Sequence, residues 1–194
     1  LSWVMNNTIT LPSWISFGKI RASWAKVGND LPQFISNSIA GSNDLIGAGG
    51  SIITYARAPF DELKPEMSTS YEIGTEWRFF NSRLDLDFTY YRSNTKNQLF
   101  TLPSSAGAKY KYYMVNAGNI QNEGFEATLG ATPVMTDSFR WKTQVNFSTN
   151  KNKVIKLHDD LTTFVYGDEG FSSSYSMRLK EGGSIGDTYG KAFE

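Results

Sequence analysis

The stretch STSYEIGTEWRFFNSRLDLDFTYYRS, residues 68–93, alternates apolar and polar side chains on either side of Asn81-Ser82. Before that dipeptide, Arg78 separates Trp77 from Phe79, and the same alternation resumes at Leu84. Alternation at every second residue is typical of a β-strand with one apolar and one polar face. The stretch therefore predicts two adjacent strands, and the surroundings of their apolar face decide the fold.

The rest of the chain repeats this pattern and shows almost no helical periodicity. We predict strands near residues 14–27, 68–80, 83–98, 122–133 and 138–150, separated by stretches rich in Gly, Ser, Asn and Pro. LSWVM (1–5) is interpreted as the end of another strand, and SIITYAR (51–57) is a weaker candidate. The predicted fold class is all-β.

The four clearest strands place apolar and charged residues on opposite faces. None of the 18 side chains on one face is charged, whereas nine of the 16 on the other face are. The main apolar positions are Tyr71, Ile73, Trp77, Phe79, Leu84, Leu86, Phe88, Tyr90, Trp141, Val145 and Phe147. The charged positions are Glu72, Glu76, Arg78, Arg83, Asp85, Asp87, Glu126, Arg140 and Lys142.

A tight hairpin loop formed by Asn81 and Ser82 alone would set the register of the two central strands. Phe80 would then face Arg83, Phe79 would face Leu84, and all apolar residues would share one face. The same register places Glu76 opposite Asp87, a like-charge pair that costs stability on its own. We expect cations from other strands to offset this pair, the candidates being Lys19, Arg21, Arg140 and Lys142.

Composition excludes several classes of protein. The 194 residues carry 19 basic and 19 acidic side chains, and no basic run is present that could follow a nucleic-acid backbone. Cysteine is absent, which excludes disulfides and thiolate metal sites. No apolar run is long enough for a transmembrane helix. The first residues lack the pattern of a signal peptide and do not begin with Met, so we expect a section of a longer protein.

Three features favour a membrane barrel over a soluble β-domain. The predicted connections are short at one end (81–82 and roughly 134–137) and long at the other (roughly 28–67 and 99–121), as in outer-membrane barrels. Strands of about 10–13 residues suit a tilted membrane crossing better than a globular sheet. Aromatic residues gather at strand ends, where membrane interfaces lie. We therefore predict that the apolar positions face lipid and that the charged positions line a water-filled lumen.

Two groups of residues, mostly acidic, are candidate chemical sites. Glu72/Glu76 and Asp85/Asp87 have the spacing of a general acid/base pair, but their surroundings favour a charged lumen wall. The second group could form a loop calcium site, but solvated loop residues are the favoured interpretation; its members are His158, Asp159, Asp160, Asp168 and Glu169. We therefore predict no catalytic residue, no metal site and no other cofactor.

Aromatic side chains in the predicted outer loops are candidates for contacts to a substrate or to a lid over the loops. These residues are Phe100, Tyr110, Tyr112, Tyr113, Tyr166, Phe171 and Tyr175. The alternative is that they pack loop against loop and stiffen the outer end of the barrel.

Five segments resemble SusC/RagA-type TonB-dependent outer-membrane transporters, in family order along essentially the whole chain. They are WISFGKIRASWAKVGN (14–29), LKPEMSTSYEIGTEWRFFNSRLDLDFTYYRSNTKNQLF (63–100), NAGNIQNEGFEATL (116–129), WKTQVNFSTNKNKVIKL (141–157) and RLKEGGSIGDTYG (178–190). Residues 1–194 are thus expected to form a partial barrel domain, a middle-to-late section of the wall.

The resemblance implies an antiparallel transmembrane barrel of about 22 strands, with short periplasmic turns and long extracellular loops. It implies a multi-pass protein of the Gram-negative outer membrane that imports oligosaccharides or peptides and is not an enzyme. The implied partners are membrane lipid, the remaining barrel and plug, a SusD-like surface lipoprotein as lid, and TonB through an N-terminal part outside this chain. Nucleic acid is not among them. The alternatives are a passive porin-type channel and a soluble carbohydrate-binding β-domain.

Overall fold

The computed structural model describes residues 1–31, 40–46, 50–57, 64–103, 110–157, 163–165 and 175–190. Apart from a short 3₁₀ turn at Met5–Asn7, the regular structure of these residues is β-strand. The strands are β1 (Ser2–Val4), β2 (Ile15–Asn29), β3 (Ala40–Ile46), β4 (Gly50–Arg57), β5 (Glu66–Phe79), β6 (Leu84–Pro103), β7 (Tyr110–Met135), β8 (Arg140–Lys156), β9 (Thr163–Val165), β10 (Tyr175–Lys180) and β11 (Thr188–Gly190). In the described part of the chain, no helix is both long and apolar enough to cross a membrane.

Eight strands form one sheet in the order β1-β2-β5-β6-β7-β4-β3, with β8 also paired to β7. The pairing of β1 with β2 is antiparallel, with Trp3 opposite Ile20, which confirms that LSWVM contains strand residues. The weaker candidate at 51–57 is also confirmed as β4, which pairs with β3 in antiparallel fashion and with β7 in parallel fashion. A second, three-stranded sheet has the order β11-β10-β9. The prediction of an all-β fold is confirmed.

The chain divides into two compact units. The first comprises Leu1–Lys26, Thr69–Asn94 and Gln121–Lys153, and the second comprises Val27–Ser68, Thr95–Ile120 and Val154–Glu194. The two-faced alternation that dominates the sequence belongs to the first unit. A small apolar cluster belongs to the second.

The turn between β5 and β6 is longer than the predicted loop of Asn81 and Ser82. It spans Phe80–Arg83, and the Arg83 N–H donates to the carbonyls of Phe79 at 3.0 Å and Phe80 at 3.2 Å. Three successive residues have positive φ, namely Phe80 (51°), Asn81 (53°) and Ser82 (63°). Asn tolerates this left-handed conformation well, whereas Phe and Ser rarely adopt it.

Neighbouring strands explain why the shorter loop does not form. The Phe80 N–H donates to the Trp14 carbonyl at 2.9 Å, and the Arg83 carbonyl accepts from the Thr132 N–H at 2.7 Å. A loop of only two residues needs Phe80 and Arg83 to exchange two backbone hydrogen bonds. One of them is present, from the Arg83 N–H to the Phe80 carbonyl, but the Phe80 N–H donates to Trp14 and not to Arg83, so the predicted pair is only half formed.

The predicted register further along β5 and β6 agrees with a side-chain contact. Thr95 Oγ1 donates to Ser68 Oγ at 3.3 Å. The two residues lie equally far from Phe79 and Leu84, so the predicted register places them opposite one another.

The long connection predicted at 99–121 is wrong, because β6 continues to Pro103 and β7 begins at Tyr110. The long connection predicted at 28–67 likewise contains β3, β4 and the start of β5. The missed end of β6, LFTLP (99–103), does not alternate apolar and polar residues. Without that alternation, the sequence pattern does not predict that the strand continues.

The second unit contains a buried apolar cluster. Its members come from four separate parts of the chain and are Phe100, Ile120, Val154, Leu157 and Leu179, with Val115 packed against them. The turn after β10 is joined to β8 by backbone bonds, from Gly182 N–H to the Val154 carbonyl and from Val154 N–H to the Gly183 carbonyl, both at 2.8 Å. Glu181 also accepts from the Leu157 N–H at 2.8 Å. The β10 turn is therefore held on β8 by both packing and hydrogen bonds.

Candidate functional site

The charged face of the first unit is organised around Arg21 on β2. Its guanidinium donates to both carboxylate oxygens of Asp87, at 2.9 Å and 2.7 Å, and also to Thr89 Oγ1 at 2.5 Å. Arg21 Nε lies 3.9 Å from a carboxylate oxygen of Glu72 on β5. One guanidinium thus links three strands, and among the four candidate cations it is the one seen to pair with Asp87.

Glycines allow the charged side chains to lie flat on the sheet. A Cβ atom at Gly74 would lie 2.5 Å from Arg21 Nε and 2.8 Å from Arg21 Cζ. A Cβ atom at Gly130 would collide with the carboxylate of Asp85 in the same way. Gly74 and Gly130 therefore provide the space in which Arg21 and Asp85 cross to the neighbouring strand.

A groove of about 300 Å³ lies beside this network. Within it, Arg78 donates to Glu76 at 2.8 Å and stacks over the Phe17 ring at 5.0 Å. The groove is lined by Glu76, Arg78, Ser82, Asp85, Leu86, Asp87 and Lys142. The lining thus includes three carboxylates and two cationic side chains, so the groove is polar and carries both signs of charge.

The nine charged positions singled out in the sequence have different places in the structure. Five of them line the groove, and Glu72 lies beside Arg21. Arg83 is in the β5–β6 turn, Arg140 begins β8 and lies 3.7 Å from Met135 Sδ, and Glu126 is exposed on β7. The assignment of all nine to a lumen stays a prediction. Sequence reasoning did not identify Phe17, Gly74 and Gly130 as parts of the site, although a glycine beside a charged strand position was the available signal.

The opposite face carries rows of aromatic side chains. Phe125 lies 5.8 Å from Phe88 and 5.6 Å from Phe147, so the rings connect β6, β7 and β8. Trp14 stacks on Phe79 at 5.8 Å. Of the positions predicted to face lipid, seven are exposed (Tyr71, Ile73, Phe88, Tyr90, Trp141, Val145, Phe147) and four are half-buried (Trp77, Phe79, Leu84, Leu86). Contact of these side chains with lipid stays a prediction.

The predicted outer-loop aromatic residues are mostly not in loops. Phe100 lies on β6 and is buried in the apolar cluster, so its prediction as an exposed contact residue is wrong. Tyr110, Tyr112 and Tyr113 lie at the start of β7, and Tyr175 begins β10. Tyr113 and Tyr175 are exposed. Tyr166 and Phe171 lie outside the described residues.

The described residues contain no group of three or more His, Cys, Asp or Glu side chains that could hold a metal ion. The residues of the weak calcium hypothesis, His158 to Asp160 with Asp168 and Glu169, lie outside the described ranges. Of the four carboxylates that were candidates for acid/base chemistry, Glu72 and Asp87 lie beside Arg21, and Glu76 lies beside Arg78.

Comparison with known families decides the identity of this two-faced sheet. The family described as TonB dependent receptor-like, beta-barrel, matches residues 1–189. The chain belongs to this family of TonB-dependent receptor barrels. It is 31% identical over 97% of its length to TonB-dependent receptor P3 of Formosa agariphila, and 26% identical over 62% of its length to TonB-dependent receptor SusC of Bacteroides thetaiotaomicron.

Solved structures agree with this TonB-dependent receptor fold. The RagAB peptide transporter matches 93% of the chain with a TM-score of 0.74 and 17% sequence identity. The RagAB peptide importer in its open-open state matches 87% with a TM-score of 0.71 and 19% identity. The chain spans about a fifth of the length of these relatives, 19% of receptor P3 and 20% of the matched RagAB chain.

In this TonB-dependent receptor barrel, we expect Arg21 and Asp87 to be coupled modestly. Both side chains are partly exposed, at 30% and 39%, so solvent screens their attraction. A double-mutant cycle with Arg21→Gln and Asp87→Asn, measured by urea unfolding of the full-length protein in micelles, should give a coupling energy of about 0.5–1 kcal/mol. The matched cycle with Arg21→Gln and Asp85→Asn should give a coupling energy near zero. Equal coupling in both cycles would contradict the bidentate pair.

Proposed function

We propose that the chain forms part of the barrel wall of a TonB-dependent transporter that imports oligosaccharide or peptide nutrients across the outer membrane. The observation that carries this proposal is the two-faced sheet, with a charged groove on one face and exposed aromatic rows on the other. A wall that separates lipid from a hydrated lumen needs both faces, and its backbone groups are satisfied between strands. Membership of the family of TonB-dependent receptors supports active import over passive diffusion through a porin-type channel.

The finer parts of the proposal follow from the same family. We propose that residues 1–194 are one section of the barrel, in the outer membrane of a Gram-negative bacterium, and that the protein is a carrier without enzymatic activity or cofactor. The plug, the TonB-contacting segment and a SusD-like surface lipoprotein acting as lid would complete it. RagAB is named as a peptide transporter, which supports peptides as one of the two substrate classes, and SusC is named as a TonB-dependent receptor, which supports the dependence on TonB.

Uptake measurements on the full-length protein in its own cells test this proposal. We expect the protein in the outer-membrane fraction, with a gel mobility that shifts on boiling, as a folded barrel shows. Uptake of labelled peptide or oligosaccharide mixtures should fall to background when TonB is deleted, while the amount of barrel in the membrane stays the same. Uptake that persists without TonB would indicate a passive porin. A soluble protein without a heat shift would contradict the barrel itself.

A further inference from the structure

A basic patch lies on the apolar face of the first unit, just beyond the end of the aromatic rows. Arg92 is the second residue after Tyr90 on β6, and Lys151 and Lys153 continue the alternation of Phe147 on β8. All three basic side chains are exposed. We call Arg92, Lys151 and Lys153 the basic patch.

Hydrogen bonds between β7 and β8 establish which face the lysines occupy. Thr128 Oγ1 donates to Asn146 Oδ1 at 3.1 Å, and Asn152 Nδ2 donates to Asn122 Oδ1 at 2.7 Å. The two bonds share one register, because the same number of residues separates them on each strand. Regular alternation therefore continues through this part of β8. Lys151, which precedes Asn152, points to the opposite side, as does Lys153.

Arg92 is held in place by its neighbours. Its Nη2 donates to Gln121 Oε1 at 2.7 Å, and Gln121 Nε2 donates to Glu123 Oε2 at 3.0 Å. Gln121 is buried, with 6% of its surface exposed, so this contact fixes the guanidinium at the sheet surface. The register places Glu123 and Gln121 opposite the two lysines.

The two lysines have no ion pair or side-chain hydrogen bond within the described part of the chain. The patch therefore combines three cations with the nearby carboxylate of Glu123. Among the residues that the structure describes, two of the cations have no partner, and the third is oriented by a buried amide. These side chains thus give a net positive charge to one end of a face that is otherwise apolar.

The position of the patch indicates its ligand. The tight turns at 80–83 and 136–139 lie at the other ends of these strands. Short turns are periplasmic in outer-membrane barrels, which places the patch on the outer-leaflet side. Residues just past an aromatic belt lie at the level of the lipid head groups, where basic clusters attract anionic lipids.

We propose that the basic patch binds the phosphate group of an anionic glycolipid in the outer leaflet. Arg92 supplies the forked donor that suits phosphate oxygens, and the lysines supply mobile ammonium groups on the adjacent strand. This proposal rests on the proposed function, because the wall must stand in the outer membrane for the patch to meet that lipid.

Binding of purified lipid to the full-length protein tests the proposal. Detergent-solubilised protein is titrated with bis-phosphorylated lipid A, with the same lipid after removal of its phosphates, and with inorganic phosphate. The test variant combines Arg92→Gln, Lys151→Gln and Lys153→Gln. The matched control is Lys142→Gln, which removes one cation from the opposite face of β8. A heat-shift gel verifies that every variant is folded.

We expect the triple variant to bind the phosphorylated lipid roughly a hundredfold more weakly, from the attraction of each cation to an anionic lipid. The control should bind like the wild type, and removal of the lipid phosphates should weaken wild-type binding to a similar extent. Glu123→Gln keeps the acceptor for Gln121 but removes the negative charge, so it should bind the lipid more tightly. A purely structural role of this network would instead leave lipid binding unchanged in all variants.

Three results would overturn the proposal. They are equal binding of the phosphorylated and dephosphorylated lipids, a triple variant that binds like the control, and inorganic phosphate that binds as tightly as the lipid. The last result would identify a general anion site and not a lipid site. Absence of the protein from the outer membrane is a separate outcome, because it overturns the proposed function first and this proposal with it.

Discussion

Val145→Arg is expected to lower the free energy of unfolding of the full-length barrel by about 2–4 kcal/mol. Val145 lies in the middle of the outward row of β8, between Trp141 and Phe147, and 62% of its surface is exposed. An arginine near the middle of the hydrocarbon layer loses its hydration without gaining a partner, and that loss is the source of the cost. Urea unfolding of the protein in lipid vesicles, followed by the heat-shifted band, measures it.

Two control variants separate contact with lipid from burial in a protein core. Gln144→Arg puts the same side chain on the opposite face of β8, where water is expected, and should change stability by no more than about 0.5 kcal/mol. Val145→Phe adds apolar bulk that lipid accommodates, whereas a packed core would be destabilised by about 1–3 kcal/mol. If Val145→Arg is as mild as Gln144→Arg, the assignment of faces is wrong. A costly Val145→Phe would instead place Val145 in a protein core.

The strands of the first unit could be predicted because each has one apolar and one polar face, and the sequence shows this as an alternation of residue types. Trp77, Arg78 and Phe79 alternate because successive side chains of a strand point to opposite sides, whatever the neighbouring strands are. The same alternation predicted the charged face before any contact was known. The predicted charged face also limited the candidate partners of Asp87 to four cations, Lys19, Arg21, Arg140 and Lys142.

The choice of Arg21 as the partner of Asp87 could not be predicted, because it depends on three strands together. The guanidinium reaches Asp87 by crossing over Gly74, so the pair needs β2, β5 and β6 side by side. The prediction of a two-residue turn between β5 and β6 failed for a similar reason. Its form depends on bonds from Phe80 to Trp14 and from Thr132 to Arg83, which are remote in sequence.

The burial of Phe100 shows where alternation stops being informative. Asn97 has a φ of 58°, a conformation that interrupts a regular strand, and Phe100 and Leu102 beyond it are both buried. Phe100 is buried in a cluster that includes Leu179, which lies far along the chain. Because Phe100 follows a polar stretch, the sequence predicted an exposed loop residue. In the structure it packs in the apolar cluster of the second unit.

Leu179→Ala is expected to lower the local stability of the β10 turn by about 2–5 kcal/mol. Leu179 is 1% exposed and packs within the apolar cluster of the second unit, so alanine at this position would leave a cavity. Hydrogen exchange of the amides of Val154, Leu157 and Gly182 measures the effect. All three donate into the contact between β8 and the turn. Their exchange should accelerate by about thirtyfold or more, because each opening would then cost less free energy.

Ile155→Ala is the matched control, since it removes a similar aliphatic side chain from the residue next to Val154. Ile155 is 40% exposed, so its loss should cost less than about 1 kcal/mol and leave the three amides protected. Comparing the two variants separates packing from hydrogen bonding, because neither substitution removes a backbone donor or acceptor. If Leu179→Ala left exchange unchanged, the backbone bonds and Glu181 alone would hold the turn on β8. The apolar cluster would then contribute nothing to its stability.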